Sequence, residues 1–327
     1  HLIAHAQSLG AGRAIVERLV AAGHPVRCLA RGDYPELRQL GVECLRGDVA
    51  DPAAASAAVR DMELVIHSAA RAGVWGKRAD YWRTNVEGTR VLIAAARATR
   101  VPRFLFTSSP SVCFDGKDHL RAKNDLPYAQ KFLAHYPESK AVAERLVLCA
   151  NSRELATCAL RPHLIYGPRD PHLLPRLIAR ARARRLFVIG DGHNEVSLTY
   201  IDNAAEAHVR AGLLLTPAAP HAGRAYFIAD EQPVRLWDWI REVLAELKLP
   251  QPRARISSRS AYAMGATLEL LWQTRLLPGE PPLTRFSAMQ LASSHSYDIS
   301  PACQDFGYRE LASAREARAA WLDACQR

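Results

Sequence analysis

The sequence predicts an α/β fold, a doubly wound parallel sheet followed by a smaller, mainly helical carboxyl-terminal substrate domain. Three observations predict it. Strand-like and helix-like runs alternate through the first half of the chain, as when parallel strands are joined by helical crossovers. Beyond about residue 165 prolines multiply, helices lengthen and strands become short and isolated. The length, 327 residues, suits one large domain with an appendage. The boundary is placed between residues 165 and 166, with parts of 190–230 returning to the first domain.

Leu2 to Ala4 reads as the first strand, followed by a helix over Arg13 to Ala22 that stops at Gly23. Pro25 to Ala30 and Val42 to Arg46 are the second and third strands. Asp51-Pro52 opens a short helix, with Asp as cap and Pro in its first turn. Leu64 to Ser68 is a buried strand, and an Ala-, Leu- and Ile-rich helix runs from about Asp80 to Thr99. Arg103 to Thr107 is the next strand, Tyr136 to Ala150 an amphipathic helix, and Thr157 to Arg161 a further strand. The later strands are Phe187 to Ile189, Ser197 to Ile201 and Ala225 to Ile228. Residues 259–277 carry Glu269, Gln273 and Arg275 where a membrane span needs about 20 mainly apolar residues, so an amphipathic helix is expected, covering the substrate site or touching lipid peripherally.

The composition, 49% hydrophobic and 23% charged, is that of a globular protein. Seven scattered cysteines without a C-x-x-C argue for reduced thiols and a cytoplasmic location rather than a disulfide frame. No H-E-x-x-H or Cys/His cluster suggests a metal. The start, His1-Leu2-Ile3-Ala4, is too short an apolar run for a signal peptide. The net charge of +10 would suit nucleic acid, anionic lipid or an anionic substrate, and the five arginines from Arg176 to Arg185 read first as a solvated helix face, second as a cationic rim that attracts an acidic ligand. With no aromatic interleaving or reader motif, no nucleic-acid partner is expected.

The chemistry begins at Tyr136-Pro137-Glu138-Ser139-Lys140. A tyrosine and a lysine four apart share one helix face and can act as one acid/base unit. A free phenol has a pKa near 10, and an ammonium beside it pulls that value toward the working range. Thr107-Ser108-Ser109, a strand end upstream, offers a hydroxyl to hold a carbonyl oxygen. These parts move a proton while a hydride moves to or from carbon.

In order and spacing the chain resembles the extended short-chain dehydrogenase/reductases, and within them the 3β-hydroxysteroid dehydrogenase-like family, from about Gly12 to Tyr308. The landmarks are Gly47-Asp48-Val49, Val65-Ile66-His67-Ser68-Ala69-Ala70, Asn85-Val86-Glu87-Gly88-Thr89, Thr107-Ser108-Ser109, Tyr136 to Lys140, Leu160-Arg161-Pro162 with Ile165-Tyr166-Gly167-Pro168, and Tyr200-Ile201-Asp202-Asn203. Arg31-Gly32-Asp33-Tyr34-Pro35 and His172 to Leu177 look most like a bacterial branch that includes reductases of 2-alkyl-3-oxoalkanoates, β-keto acids of olefin biosynthesis. The resemblance implies a Rossmann-like cofactor domain, Tyr136 as general acid/base, Lys140 as the residue that tunes it and binds the nicotinamide ribose, and Ser109 as the residue that orients the substrate oxygen, with Ser111 nearby. It implies an adenine contact at Asp48 with Val49 beside it, close approach of the cofactor at Ala69 and Ala70, Asn85 behind the nicotinamide, and a pocket wall at Pro162 and Leu164. Trp75, His172 and Tyr200 are the further candidates for the substrate pocket. Helices at about 80–99 and 136–150 imply a homodimer by analogy.

At the second strand's end Ala30 is followed by Arg31, not by an acid; this favours NADP, while Asp33 leaves NAD open. The family's glycine turn is altered. Setting its last glycine on Gly12 puts Ala6 and Leu9 at the other two positions. A misread start, which the missing initiator Met also suggests, a shifted register using Gly10 and Gly12, or weakened cofactor binding would each account for it. The expected function is NAD(P)-dependent interconversion of a 3-keto and a 3-hydroxy group on a bulky hydrophobic substrate, foremost reduction of a long-chain 2-alkyl-3-oxoalkanoate. A 3β-hydroxysteroid or sterol dehydrogenase, and a non-catalytic dinucleotide sensor, are the alternatives.

Overall fold

A computed structural model describes residues 2–4, 10–169, 173–274 and 276–326. Seven strands form the main sheet: β1 (Leu2–Ala4), β2 (Val26–Ala30), β3 (Glu43–Arg46), β4 (Leu64–His67), β5 (Arg103–Thr107), β6 (Ala156–Pro162) and β7 (Arg224–Ile228). Their order is β7-β6-β5-β4-β1-β2-β3, every pair parallel. The order reverses beside β1, which opens a crevice above the carboxyl ends of β1 and β4.

The two faces follow from alternation along each strand. Val26, Cys28, Ala30, Leu64, Ile66, Leu105, Cys158 and Leu160 enter one core, beneath α1 (Ala11–Ala21) and the helix Ile201–Leu214. Leu29, Val65, Phe104, Phe106 and Ala159 enter the other, beneath α2 (Pro52–Val59), α3 (78–98) and α4 (His135–Cys149). Asp51 caps α2 by accepting the Ala53 N–H at 2.9 Å, an interaction of about 1 kcal/mol. A Cβ added to Gly88 in α3 would lie 2.6 Å from Val49, so only glycine lets the helix settle on the end of β3.

Two expectations are corrected here. The helix expected from Asp80 begins at Arg78 and is not uniformly α: Trp82–Glu87 is one π-helical turn between α-helical flanks. The strand expected over Ser197 to Ile201 is Thr199–Tyr200; Ile201 already starts the helix Ile201–Leu214, because Tyr200 is an extended N-cap and Asp202 places a carboxylate in the first turn, where the helix dipole favours it.

Outside the main sheet, Val234–Arg235, Glu195–Val196, His295–Tyr297 and His119–Ala122 form a four-stranded sheet in that order. Ile165–Tyr166 pairs with Thr199–Tyr200, and Val188–Ile189 with Arg255–Ile256.

Candidate active site

Tyr136 lies in the first turn of α4, and Lys140 one turn further on the same face. Lys140 is 2% exposed. Its ammonium donates to the Thr107 carbonyl at 2.5 Å and stands 4.0 Å above the Phe106 ring. Burial lowers its pKa to about 7, with Glu144 opposing the fall. The phenol differs from expectation. Burial raises the Tyr136 pKa, a hydrogen bond with Ser109 opposes the rise, and nearby Tyr81 adds to it. Lys140 does not draw the phenol down because its ammonium is turned to the end of β5.

Ser109 lies two residues beyond β5 and caps the 3-10 turn Pro110–Cys113. Its oxygen accepts from the Ser111 N–H at 3.3 Å and from the Ser111 hydroxyl at 2.9 Å. With two donors on that oxygen, the Ser109 proton is left to point at Tyr136 or at a substrate oxygen in its place. Ser109, Ser111, Tyr136 and Lys140 thus meet at the carboxyl end of β5.

The π turn in α3 puts Asn85 against α4 and the loop after β4. Its amide accepts from the Arg71 N–H at 2.7 Å and donates to Ser139 at 2.9 Å, and Ser139 donates to the Tyr136 carbonyl at 2.8 Å. Tyr81 donates to the carbonyls of Gly73 and Trp75 at 3.0 and 2.9 Å. Trp75 is therefore held on a loop tied to the ring that Tyr136 senses.

Behind the site lies a buried ionic knot. The Glu144 carboxylate accepts from Arg161 Nη2 and Nε at 2.6 and 2.9 Å and from Tyr128 at 2.6 Å. Burial pushes the Glu144 pKa up, and Arg161, Ser108 and Tyr128 hold it below the ordinary carboxylate value. The knot joins the elements that carry Ser109, Tyr136, Lys140 and Pro162. The sequence reading did not single out Glu144, although it stands one helical turn after Lys140; its partner Arg161, seventeen residues on, has no local signal. Tyr81 and the buried pair His163 and His295, 2.6 Å apart, were missed for the same reason.

The remaining candidates rim the crevice. Gly10 is a buried N-cap at the start of α1, no side chain caps that terminus, and a Cβ on Gly10 would meet no atom within 4 Å. A helix N-terminus that no side chain among the described residues caps fits a pyrophosphate. Gly12 is buried as the second residue of the helix; Ala6 and Leu9 lie outside the described residues. Arg31 is exposed at the end of β2, and Asp33 is held by Arg38 at 2.5 and 3.1 Å. Asp48 accepts from the Ala50 N–H at 3.0 Å and pairs with Arg83 at 3.1 Å, and Val49 is buried beneath Gly88. Ala69 and Ala70 follow β4, and Pro162 ends β6 in register with Ile228. Leu164 has φ of 39°, a strained backbone for leucine at the crevice wall.

Two candidates remain. Tyr200 is a core residue, its ring 5.7 Å from that of Tyr166. His172 lies outside the described residues.

Comparison with known proteins follows the same lines. The profile of the 3-beta hydroxysteroid dehydrogenase/isomerase family matches residues 10–257. The chain is 45% identical over 307 residues to a 2-alkyl-3-oxoalkanoate reductase of Stenotrophomonas maltophilia, covering 93% of each protein. It is 32% identical over 314 residues to the decarboxylating sterol-4-alpha-carboxylate 3-dehydrogenase of Mus musculus, covering 94% of this chain and 85% of the other. Among solved structures, the UDP-glucuronic acid 4-epimerase of Bacillus cereus in complex with NAD superposes with a TM-score of 0.75 at 20% identity, over 99% of this chain and 98% of that one, a likeness of fold.

Proposed function

Because the chain belongs to the 3-beta hydroxysteroid dehydrogenase/isomerase family, we propose that it is an NAD(P)-dependent oxidoreductase that reduces the 3-keto group of a long-chain 2-alkyl-3-oxoalkanoate to the 3-hydroxy acid. The observation that carries this reading is the convergence of Ser109, Tyr136 and Lys140 at the crevice, in a chain 45% identical to a reductase of that name.

A dinucleotide would lie with its pyrophosphate over Gly10 and the start of α1, its adenosine along Arg31 and Asp48, and its nicotinamide between Ala69, Ala70, Asn85 and the Pro162–Leu164 wall. When bound it supplies the hydride. Tyr136, protonated because burial keeps its pKa high, gives its proton to the alkoxide oxygen. Ser109, its oxygen already occupied by two Ser111 donors, turns its proton to the substrate oxygen and offsets the developing charge. Lys140 holds the ribose, and its ammonium, swung from the Thr107 carbonyl toward the phenol when the dinucleotide binds, favours the tyrosinate that forms. Ser111, and Trp75 on its tethered loop, border the substrate.

The finer assignments belong to this proposal. NADP is the preferred cofactor, supported by Arg31 at the end of β2 and by the pairing of Asp33 with Arg38, which turns that carboxylate from the ribose hydroxyls. The protein works in the cytoplasm as a homodimer. No helix among the described residues is long and apolar enough to cross a membrane. A sterol dehydrogenase is the second reading, favoured by the 32% identical sterol-4-alpha-carboxylate enzyme, and the same residues would serve it.

The test is turnover of NADPH and of NADH with a 2-alkyl-3-oxoalkanoate and, separately, oxidation of a 3β-hydroxysterol. Faster NADPH consumption with the β-keto acid supports the proposal, sterol oxidation alone supports the second reading, and saturable dinucleotide binding without turnover of either supports a sensor.

A further inference from the structure

Ten large apolar side chains are exposed among the described residues, and five of them fall between residues 264 and 277: Met264, Leu270, Leu271, Leu276 and Leu277, the last two 84% and 42% exposed. Such a gathering of exposed apolar side chains within fourteen residues points to a contact surface. The helix Ser258–Gln273 explains the gathering. Its inner face is Ala261, Gly265 and Glu269, spaced by four, and Glu269 is turned inward to Arg285 at 2.7 Å. Between Ser260 and Thr274 Glu269 is the one charged residue, so beyond Arg259 the opposite face is uncharged over roughly 20 Å, with Met264, Leu270 and Leu271 on it and Ser260, Thr267 and Thr274 as its polar members. The Trp272 ring N–H donates to the Pro278 carbonyl at 3.2 Å and folds the following segment back on the helix end, with Leu276 and Leu277 outward.

An arginine-rich segment, the helix Leu173–Arg182 and the chain after it, is tied to the residues on either side of this helix. At one end Val188–Ile189 pairs with Arg255–Ile256, just before Ser258. At the other, Arg176 pairs with Glu280 at 3.0 Å and Arg180 donates to the Pro282 carbonyl, just beyond Leu277. Residues 173–190 hold five arginines and no acid, and Arg182, Arg184 and Arg185 are exposed beside Phe187, itself 40% exposed. An apolar helix face flanked by unopposed arginines matches the two layers of an anionic lipid surface: acyl chains for the leucines, phosphates for the guanidinium groups.

We propose that the helix Ser258–Gln273 and the Leu276–Leu277 tip, with Arg182, Arg184 and Arg185, dock the protein peripherally on an anionic bilayer. The protein lies on that surface and does not cross it. This goes beyond the reductase reading and does not depend on it, since vesicle binding needs no turnover. Its consequence for that reading is that a long-chain substrate dissolved in the bilayer meets the enzyme there.

Co-sedimentation of the full chain with vesicles tests it. Vesicles of phosphatidylglycerol and phosphatidylcholine should bring the protein down, phosphatidylcholine alone should not, and added salt should weaken the binding. Leu270→Glu/Leu271→Glu should lower the partition coefficient by at least ~10-fold. Arg182→Ala/Arg184→Ala/Arg185→Ala should lower it by ~100-fold, about a factor of five for each arginine. Both variants should keep the parent's circular dichroism and thermal midpoint, because these side chains face outward. No sedimentation with the phosphatidylglycerol vesicles overturns the proposal, as does sedimentation that neither variant weakens. So does a soluble oligomer that Leu270→Glu/Leu271→Glu splits, measured by light scattering, since the face would then belong to a second copy.

Discussion

Glu144 stands one turn beyond Lys140 with no exposed surface, and two nitrogens of Arg161 close on its carboxylate. Its negative charge favours the ammonium of Lys140, against the burial that lowers that pKa to about 7. The tyrosinate formed in reduction is best met by a charged lysine, so reductive kcat/KM, which reports the free enzyme, should fall as pH rises through about 7. Glu144→Gln removes the charge that holds the lysine pKa up and should move this limb to lower pH. The same change leaves Arg161 buried without its anion and should cost about 3–5 kcal/mol in urea unfolding. Replacing both, as Glu144→Gln/Arg161→Met, should recover most of that loss. A pH limb that stays in place in Glu144→Gln would show that Lys140 does not set it. Ser109 is simpler: Ser109→Ala removes one donor to the developing oxyanion and should lower kcat by about 10²–10³-fold, measured at saturating cofactor, with a loss of about 1 kcal/mol of stability from the vacated cap of the Pro110–Cys113 turn.

Among the elements, the strand His295–Tyr297 meets the end of β6 through two neutral imidazoles. His163 donates through Nε2 to Nδ1 of His295, whose Nε2 donates to the Gln290 carbonyl at 2.8 Å. Burial lowers the His295 pKa to about 4, from an ordinary value of 6.5, and pushes His163 well down too. The folded state therefore binds fewer protons than the unfolded chain between these values, and stability contributed by the neutral rings is lost as pH falls from about 6.5 toward 4. His295→Gln should lower stability at pH 7 and flatten this acid slope, narrowing the gap from the parent by on the order of 1–2 kcal/mol at pH 5 in denaturant titrations. A slope equally steep in the variant would place the acid sensitivity elsewhere, His208 being a second buried ring with a pKa lowered to about 4. Local pattern made β2, β4, β5 and β6 legible as short, largely apolar runs, and β3, Glu43–Arg46, as a short run between the turn residues Gly41 and Gly47. The π turn around Asn85 was not, since one extra residue in a helical turn leaves the apolar periodicity nearly intact. Nor was the strand His119–Ala122, whose one neighbour among the described residues of the four-stranded sheet lies about 175 residues along the chain and none of whose residues is buried. The Ser109–Tyr136–Lys140 group could be read because two members share a helix face and the third ends a strand. The Glu144–Arg161–Tyr128 knot behind it could not, because its contacts are made by packing of α4 on β6.

At the scale of the molecule, all seven strands of the main sheet point their carboxyl ends to one side, and a dinucleotide bound as proposed would touch both sides of the β1–β4 reversal. A ligand that binds only the folded chain stabilises it by RT ln(1 + [L]/Kd), about 2.7 kcal/mol at one hundred times Kd. NADPH should raise the thermal midpoint more than NADH at equal concentration, and Arg31→Ala should narrow that difference; a larger effect of NADH on the parent would reverse the cofactor assignment. The central claim, that the Tyr136 phenol delivers the proton during reduction, is tested most directly by single-turnover reduction of a 2-alkyl-3-oxoalkanoate by Tyr136→Phe preloaded with NADPH. The account predicts unchanged dinucleotide affinity and a chemical step slowed by about 10²–10⁴-fold. A Tyr136→Phe protein that reduces its substrate at the parent's rate would contradict it.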